Sequence, residues 1–164
     1  MERILVSSCL LGRPVRYDAT AKPVSDDLFE RWRAEGRLVP VCPEISGGLP
    51  VPRPPAELMG AGREPERSTQ GPQIMTASGE DVTEEFLRGA QIALETARRA
   101  GTRIAILKES SPSCGSHRVY DGTFSGTQVP GMGVTAALLT SAGIRVFSED
   151  DLPEAAAYLA ELES

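Results

Sequence analysis

Asparagine is absent from the 164 residues, and lysine occurs only at Lys22 and Lys108. Genome composition and adaptation to heat both produce such a bias, so it excludes neither. No apolar run approaches the roughly 20 residues that a membrane helix requires. The opening Met1-Glu-Arg-Ile has no basic region followed by a long apolar core, so no signal peptide and no membrane are expected, and the cytoplasm is the expected location. Basic charge is scarce too: 17 Lys and Arg stand against 23 Asp and Glu, a net charge of −6. Such a surface repels phosphate backbones on average, which disfavours nucleic acid as a partner. Three cysteines are an odd count and too few for a disulfide framework. No repeat or low-complexity tract is present.

What is present suits one globular domain spanning 1–164, with 40% hydrophobic and 24% charged residues. Short apolar runs at Arg3–Ser7, Arg37–Val41, Arg103–Leu107 and Ile144–Phe147 read as buried strands. Helical patterning lies between them. Ser25 suits the N-cap of a helix from about Asp26 to Glu35, with Leu28, Phe29 and Trp32 on its apolar face and Gly36 at its end. The strongest helix runs from a cap at Asp81 or Thr83 to about Ala100, with Val82, Phe86, Ala90, Ala93 and Ala97 inward and Gly101 as its stop. Another follows Gly131–Gly133 to about Ala142. A last one starts from a capping-box-like Ser148 and Asp151 and turns Leu152, Ala155, Leu159 and Leu162 inward. Strand, helix, strand order implies right-handed crossovers and parallel pairing. The expected fold is α/β, a single-domain Rossmann-like parallel sheet with helices on both faces and long loops at the carboxyl edge of the strands.

Every cysteine falls just past a strand. Cys9 comes two residues after the first, Cys42 directly after the second, and Cys114 in the loop Lys108-Glu-Ser-Ser-Pro-Ser-Cys-Gly115 after the third. In open parallel sheets these carboxyl ends form the ligand edge, so the three thiols converge if their strands are neighbours. A lone cysteine is more often a small buried hydrophobe. Three at equivalent strand ends favour a site. Gly115 is expected to let the backbone pass close to whatever Cys114 holds, and Gly12 to take a positive φ.

Other candidates surround the cysteines. The loop from Arg13 to Asp18 is either a plain surface loop or a lid bringing Arg16, Tyr17 and Asp18 over the site. From Cys42 to about Gly79 the chain is rich in Pro and Gly and reads as one long loop, with a short edge strand at Gln73–Thr76. Glu44 is a surface charge or, beside a metal, an acid/base. Arg53, between prolines, suits an anionic or carbonyl-bearing ligand. Ser111 and Ser113 add donors near the thiol of Cys114. Tyr120–Phe124 reads as a turn or small hairpin. Cys9, Cys42 and Cys114 with His117 would make a Cys₃His zinc set. Three thiolates would alternatively hold an iron–sulfur cluster with one iron left open. Spacing does not choose between them.

Several of these segments together resemble the thiouracil desulfidase family, formerly a domain of unknown function. The matching segments are Cys9-Leu-Leu-Gly12, Val15-Arg-Tyr-Asp18, Cys42-Pro-Glu44, Gly47-Gly-Leu49, Pro52-Arg-Pro-Pro-Ala-Glu57, Ser111-Pro-Ser-Cys-Gly115 and Tyr120-Asp-Gly122. They run in order from about Ile4 to Glu149. The resemblance implies a [4Fe–4S] cluster on Cys9, Cys42 and Cys114, oxygen sensitivity, and catalytic parts for Glu44 and Ser111. It implies non-redox conversion of 2- or 4-thiouracil to uracil and hydrosulfide. In that chemistry the substrate sulfur binds the open iron while Glu44 activates water. Relatives acting on thiolated tRNA carry an additional domain. Without one, and with its acidity, this chain is expected to take a free base or nucleoside and not tRNA. The other reading is a non-catalytic cluster or zinc protein, a sulfur carrier or redox sensor. The sequence does not fix an oligomeric state.

Overall fold

Where each strand lies in the sheet decides what the cysteines can do. The computed structural model describes residues 1–14, 16–20, 26–60 and 72–164. In chain order it has β1 (Ile4–Ser7), a 3₁₀ turn (Ser8–Leu11), α1 (Asp27–Ala34), β2 (Leu38–Val41), α2 (Pro43–Ser46), β3 (Ala56–Leu58) and β4 (Ile74–Thr76). Then follow α3 (Thr83–Ala100), β5 (Ile104–Leu107), β6 (Arg118–Tyr120), β7 (Gln128–Pro130), α4 (Val134–Ser141), β8 (Arg145–Ser148) and α5 (Leu152–Glu163). The main sheet is parallel with order β2-β1-β5-β8. Pro40, which has no N–H for a ladder, sits in β2 at the edge, where the missing donor costs least.

Alternate residues of the central strands serve two cores, as a sheet covered on both faces requires. Ile4 and Val6 of β1, with Ile104 and Ile106 of β5, pack against Phe29 and Trp32 of α1 and Leu152, Ala155 and Leu159 of α5. Leu5, Ala105 and Leu107 face the opposite way, onto Ala93, Leu94 and Ala97 of α3 and Ala136 and Leu139 of α4. The expected α/β architecture with helices on both faces is therefore present. From β1 the chain steps outward to β2, then returns past β1 to β5. The strand order reverses between β1 and β5, the kind of point where open sheets bind ligands.

Several boundaries differ from expectation. The cap of α1 is Asp26, whose side chain accepts from the Leu28 N–H at 2.8 Å; Ser25 lies outside the described residues. Ser148 and Asp151 do bond, Ser148 N–H to Asp151 Oδ2 at 3.2 Å, but they form a turn and α5 begins at Leu152. The stretch after Cys42 is not one loop: it holds α2 and the antiparallel pair β3–β4, so Ile74–Thr76 edges a small separate sheet. Tyr120 ends β6, and β6–β7 is the small hairpin expected around it. Among the described residues no helix is long and apolar enough to cross a membrane.

Glycines seat α2 on α3. A Cβ at Gly47 would lie 1.9 Å from the Glu85 carbonyl oxygen, and one at Gly89 would lie 1.9 Å from that of Pro43. The two helices therefore approach backbone to backbone, which fixes Cys42 and Glu44 at the start of α2 against a long rigid element.

Candidate active site

The strands that carry the cysteines are adjacent, β2 and β5 flanking β1. Cys9 lies in the 3₁₀ turn after β1, Cys42 directly precedes α2, and Cys114 is in the loop after β5. All three line one cavity of about 600 Å³ over the carboxyl edge of the sheet. None is in a disulfide. Burial pushes the Cys9 thiol up to about 11, and it raises Cys42 and Cys114 as well. A thiol in this apolar setting stays protonated unless a cation arrives to compensate the thiolate.

The sequence does not single out Ser7, yet its hydroxyl joins two strands. Ser7 Oγ accepts from Lys108 N–H at 2.9 Å and donates to Cys114 Sγ at 3.5 Å. The loop carrying Cys114 is shaped by Ser111, whose Oγ accepts from the N–H groups of Ser113 (3.0 Å) and Cys114 (3.2 Å). Both lone pairs are thus occupied and the hydroxyl proton remains to be donated. Ser111 also lines the cavity. Gly115 also lets the backbone close on itself: a Cβ there would lie 2.6 Å from the Arg118 carbonyl oxygen and 2.9 Å from that of Ser111. Gly12 has the expected positive φ of 90°.

Glu44 lines the same cavity and is held by Arg53, with Nη2 3.1 Å from Oε2. The Arg53 side chain is 4% exposed and that of Glu44 20%. Burial raises the Glu44 pKa, and the Arg53 charge and hydrogen bond only partly oppose it. Arg53 also donates through Nη1 to the Pro50 carbonyl (3.1 Å) and through its backbone N–H to that of Tyr17 (2.6 Å). It lines the cavity as well, so its ion pair with Glu44 leaves it where the sequence suggested a ligand. Arg16 and Tyr17 line the cavity.

Three candidates fall elsewhere. Asp18 is exposed and turns back to the N–H of Thr20 at 3.1 Å. Ser113 is fully buried behind the cavity wall: its hydroxyl lies 3.9 Å from Cys114 Sγ, near the thiol as expected, and bonds Thr135 Oγ1 at 2.6 Å, fastening the loop to α4. His117 is not among the cavity-lining residues: its Nδ1 lies 2.7 Å from Glu109 Oε2 and its Nε2 3.3 Å from Asp151 Oδ2. The Cys₃His zinc set is therefore not assembled. Among the described residues no three His, Cys, Asp or Glu side chains are gathered tightly enough for one metal ion. Three thiols that share a cavity without meeting at a point suit a polynuclear cluster better than an ion with metal–sulfur bonds of about 2.3 Å.

The chain's relatives bear on that choice. A family model described as 2-thiouracil desulfurase matches residues 4–151. The chain belongs to the 2-thiouracil desulfurase family. The match takes in the Cys9, Cys42 and Cys114 segments. Among solved structures, the [4Fe–4S]-dependent thiouracil desulfidase TudS is 51% identical, with a TM-score of 0.88 over 98% of this chain and 99% of that one. The uncharacterized protein YbbK of Bacillus subtilis (strain 168) is 46% identical over 149 residues, which are 91% of this chain and 97% of that protein.

Proposed function

We propose that this chain, as one catalytic domain, removes sulfur from a thiolated pyrimidine such as 2- or 4-thiouracil, with a [4Fe–4S] cluster held by Cys9, Cys42 and Cys114. The observation that carries this reading is the sharing of one cavity by three thiols from adjacent strands and an arginine-held carboxylate. When bound, the cluster supplies a Lewis-acidic iron that draws electrons from the thiocarbonyl.

The remaining work falls to side chains. Glu44, with its pKa raised by burial, can accept a proton from water and return it, and Arg53 keeps its carboxylate turned to one side. Ser111 donates its remaining proton into the cavity and so orients water or the substrate carbonyl. Arg16 and Tyr17 close the outer side. In the overall reaction one C–S bond breaks and one C–O bond forms from water. Uracil and hydrosulfide leave with no net electron transfer. The acidic chain favours a free base or nucleoside over tRNA, and an oxygen-labile cluster suits the reducing cytoplasm.

The test is anaerobic reconstitution, with iron and sulfide counted per chain on the sample that is assayed. Loss of thiocarbonyl absorbance with matching hydrosulfide release is expected, and aeration with a chelator should abolish both. A fully loaded protein that turns over no thiolated pyrimidine would replace this reading with that of a sulfur carrier or redox sensor.

A further inference from the structure

One carboxylate closes the loop that holds Cys114. Glu109 Oε1 accepts from the backbone N–H groups of Ser110 (3.2 Å), Ser116 (2.9 Å), His117 (3.0 Å) and Arg118 (3.1 Å). Its Oε2 takes the Ser116 hydroxyl at 3.1 Å and His117 Nδ1 at 2.7 Å. The two ends of residues 110–118 are thereby gathered onto one side chain, with Ser111 and Cys114 on the arc between them. Ser110, at the start of that arc, has φ 73°, a left-handed conformation costly for a residue with a Cβ. Two side-chain bonds hold it there, its N–H to Glu109 Oε1 and Gln128 Nε2 to its Oγ at 3.1 Å, beside a backbone bridge that pairs Ser110 with Val119.

We propose that Glu109 is a positioning residue, whose carboxylate keeps Ser110 left-handed and so holds Ser111 and Cys114 toward the cavity. Its value for catalysis rests on the function proposed above; its hold on the loop does not. Glutamine has nearly the same size but carries no charge and only one acceptor oxygen, so several of the amide bonds weaken together.

The experiment compares wild type with Glu109→Gln in the anaerobic, cluster-free full chain. Iodoacetamide labelling of each cysteine is resolved by peptide mass spectrometry. Cys114 should label at least about tenfold faster, a factor that one charge-assisted hydrogen bond is worth. Cys9 and Cys42 should stay within about twofold, because they belong to other elements. The reconstituted variant should lose iron to a chelator about tenfold faster and turn over about tenfold more slowly at little-changed KM. Adding Ser110→Gly to Glu109→Gln should recover part of the Cys114 protection, because glycine takes a positive φ unaided; this double variant also serves if the single one fails to fold.

Unchanged Cys114 labelling would overturn the proposal. So would an equal rise at all three cysteines with a lower melting temperature, the mark of a merely stabilising residue. Wild type that holds its cluster but desulfurates nothing would sink the proposed function and leave the labelling result standing.

Discussion

The two ends of the sheet use the same pair of residue types with opposite results. At the amino end, Arg103 bonds Glu2 and Arg37 bonds Glu163 at 3.0 Å, and both carboxylates are held below their ordinary range. For Glu2 the hydrogen bond from Arg103 is the main cause. At the carboxyl end, Arg53 bonds Glu44 at a similar 3.1 Å, yet the Glu44 pKa rises. Depth accounts for the difference. Glu2 and Glu44 are themselves similarly exposed (18% and 20%), so the difference lies around them: Arg103 is 55% exposed and water still reaches its pair, whereas Arg53 is 4% exposed and burial, the largest influence on Glu44, exceeds what the arginine returns. One end ties the start of β5 to that of β1, and the start of β2 to the last helix, with pairs worth little each. The other holds a carboxylate whose pKa burial raises.

Replacing residues at each end breaks or sharpens this contrast. The largest effect belongs to the cysteines: serine at Cys9, Cys42 or Cys114 should leave no detectable turnover and no stoichiometric cluster. A variant that kept both would reduce its cysteine to a core thiol. His117→Ala, by contrast, should keep its iron, since His117 is engaged with Glu109 and Asp151.

Next comes Glu44→Gln, which should retain iron and bind thiouracil but convert it roughly a hundredfold more slowly. Glu163→Gln at the opposite end should convert it at the wild-type rate. Equal turnover in the two would remove Glu44 from the chemistry. Stability should separate the arginines in the same way. Arg53→Ala strands a mostly buried carboxylate and should cost about 3 kcal/mol in denaturant unfolding of the cluster-free chain, while Arg103→Ala should leave the unfolding midpoint nearly unchanged. Similar losses would show that depth is not what distinguishes the pairs.

The smallest effect is in the pH dependence. Against the upward push of burial, the bonds from His117, Arg118 and Ser110 hold Glu109 down at about 2. A carboxylate so depressed stabilises the fold above its ordinary 4.5 and loses that contribution as pH falls toward 2. His117 runs the other way. Its bond to Glu109 raises its pKa above 6.5, so its contribution is complete below 6.5 and fades as pH climbs through the higher folded value. Glu109→Gln should flatten both slopes in unfolding measured across pH, whereas His117→Gln should remove the alkaline slope and only lessen the acid one, because the backbone N–H groups still reach Glu109. A retained acid slope in Glu109→Gln would assign acid lability to other carboxylates.

Much of this molecule is legible in one dimension. Apolar runs of four or five residues mark the strands, because a strand buried on both faces has no polar positions to spare. The spacing of Phe86, Ala90, Ala93 and Ala97 marks α3 through the period of the helix. β4 is legible as a short edge strand, whereas α2 and β3 are hidden among prolines and glycines, because such short elements there show no period. Asp18 and Ser113 stood beside site residues in the chain and still missed the cavity, since neighbours on a turning backbone point in different directions.

By itself the sequence determined that three thiols stand just past the ends of three parallel strands, and the desulfidase motifs around them. Those are local properties, set by hydrophobic pattern and by distance along the chain. Only the tertiary structure decided that Arg53 takes Glu44, that Ser7 reaches Cys114 across 107 residues, and that Glu109 closes the loop while His117 stays outside the cavity. Each depends on where a side chain lands once strands are ordered and loops folded. Hydrogen bonds are short and directional, so no periodicity in the chain records which partner a carboxylate will meet.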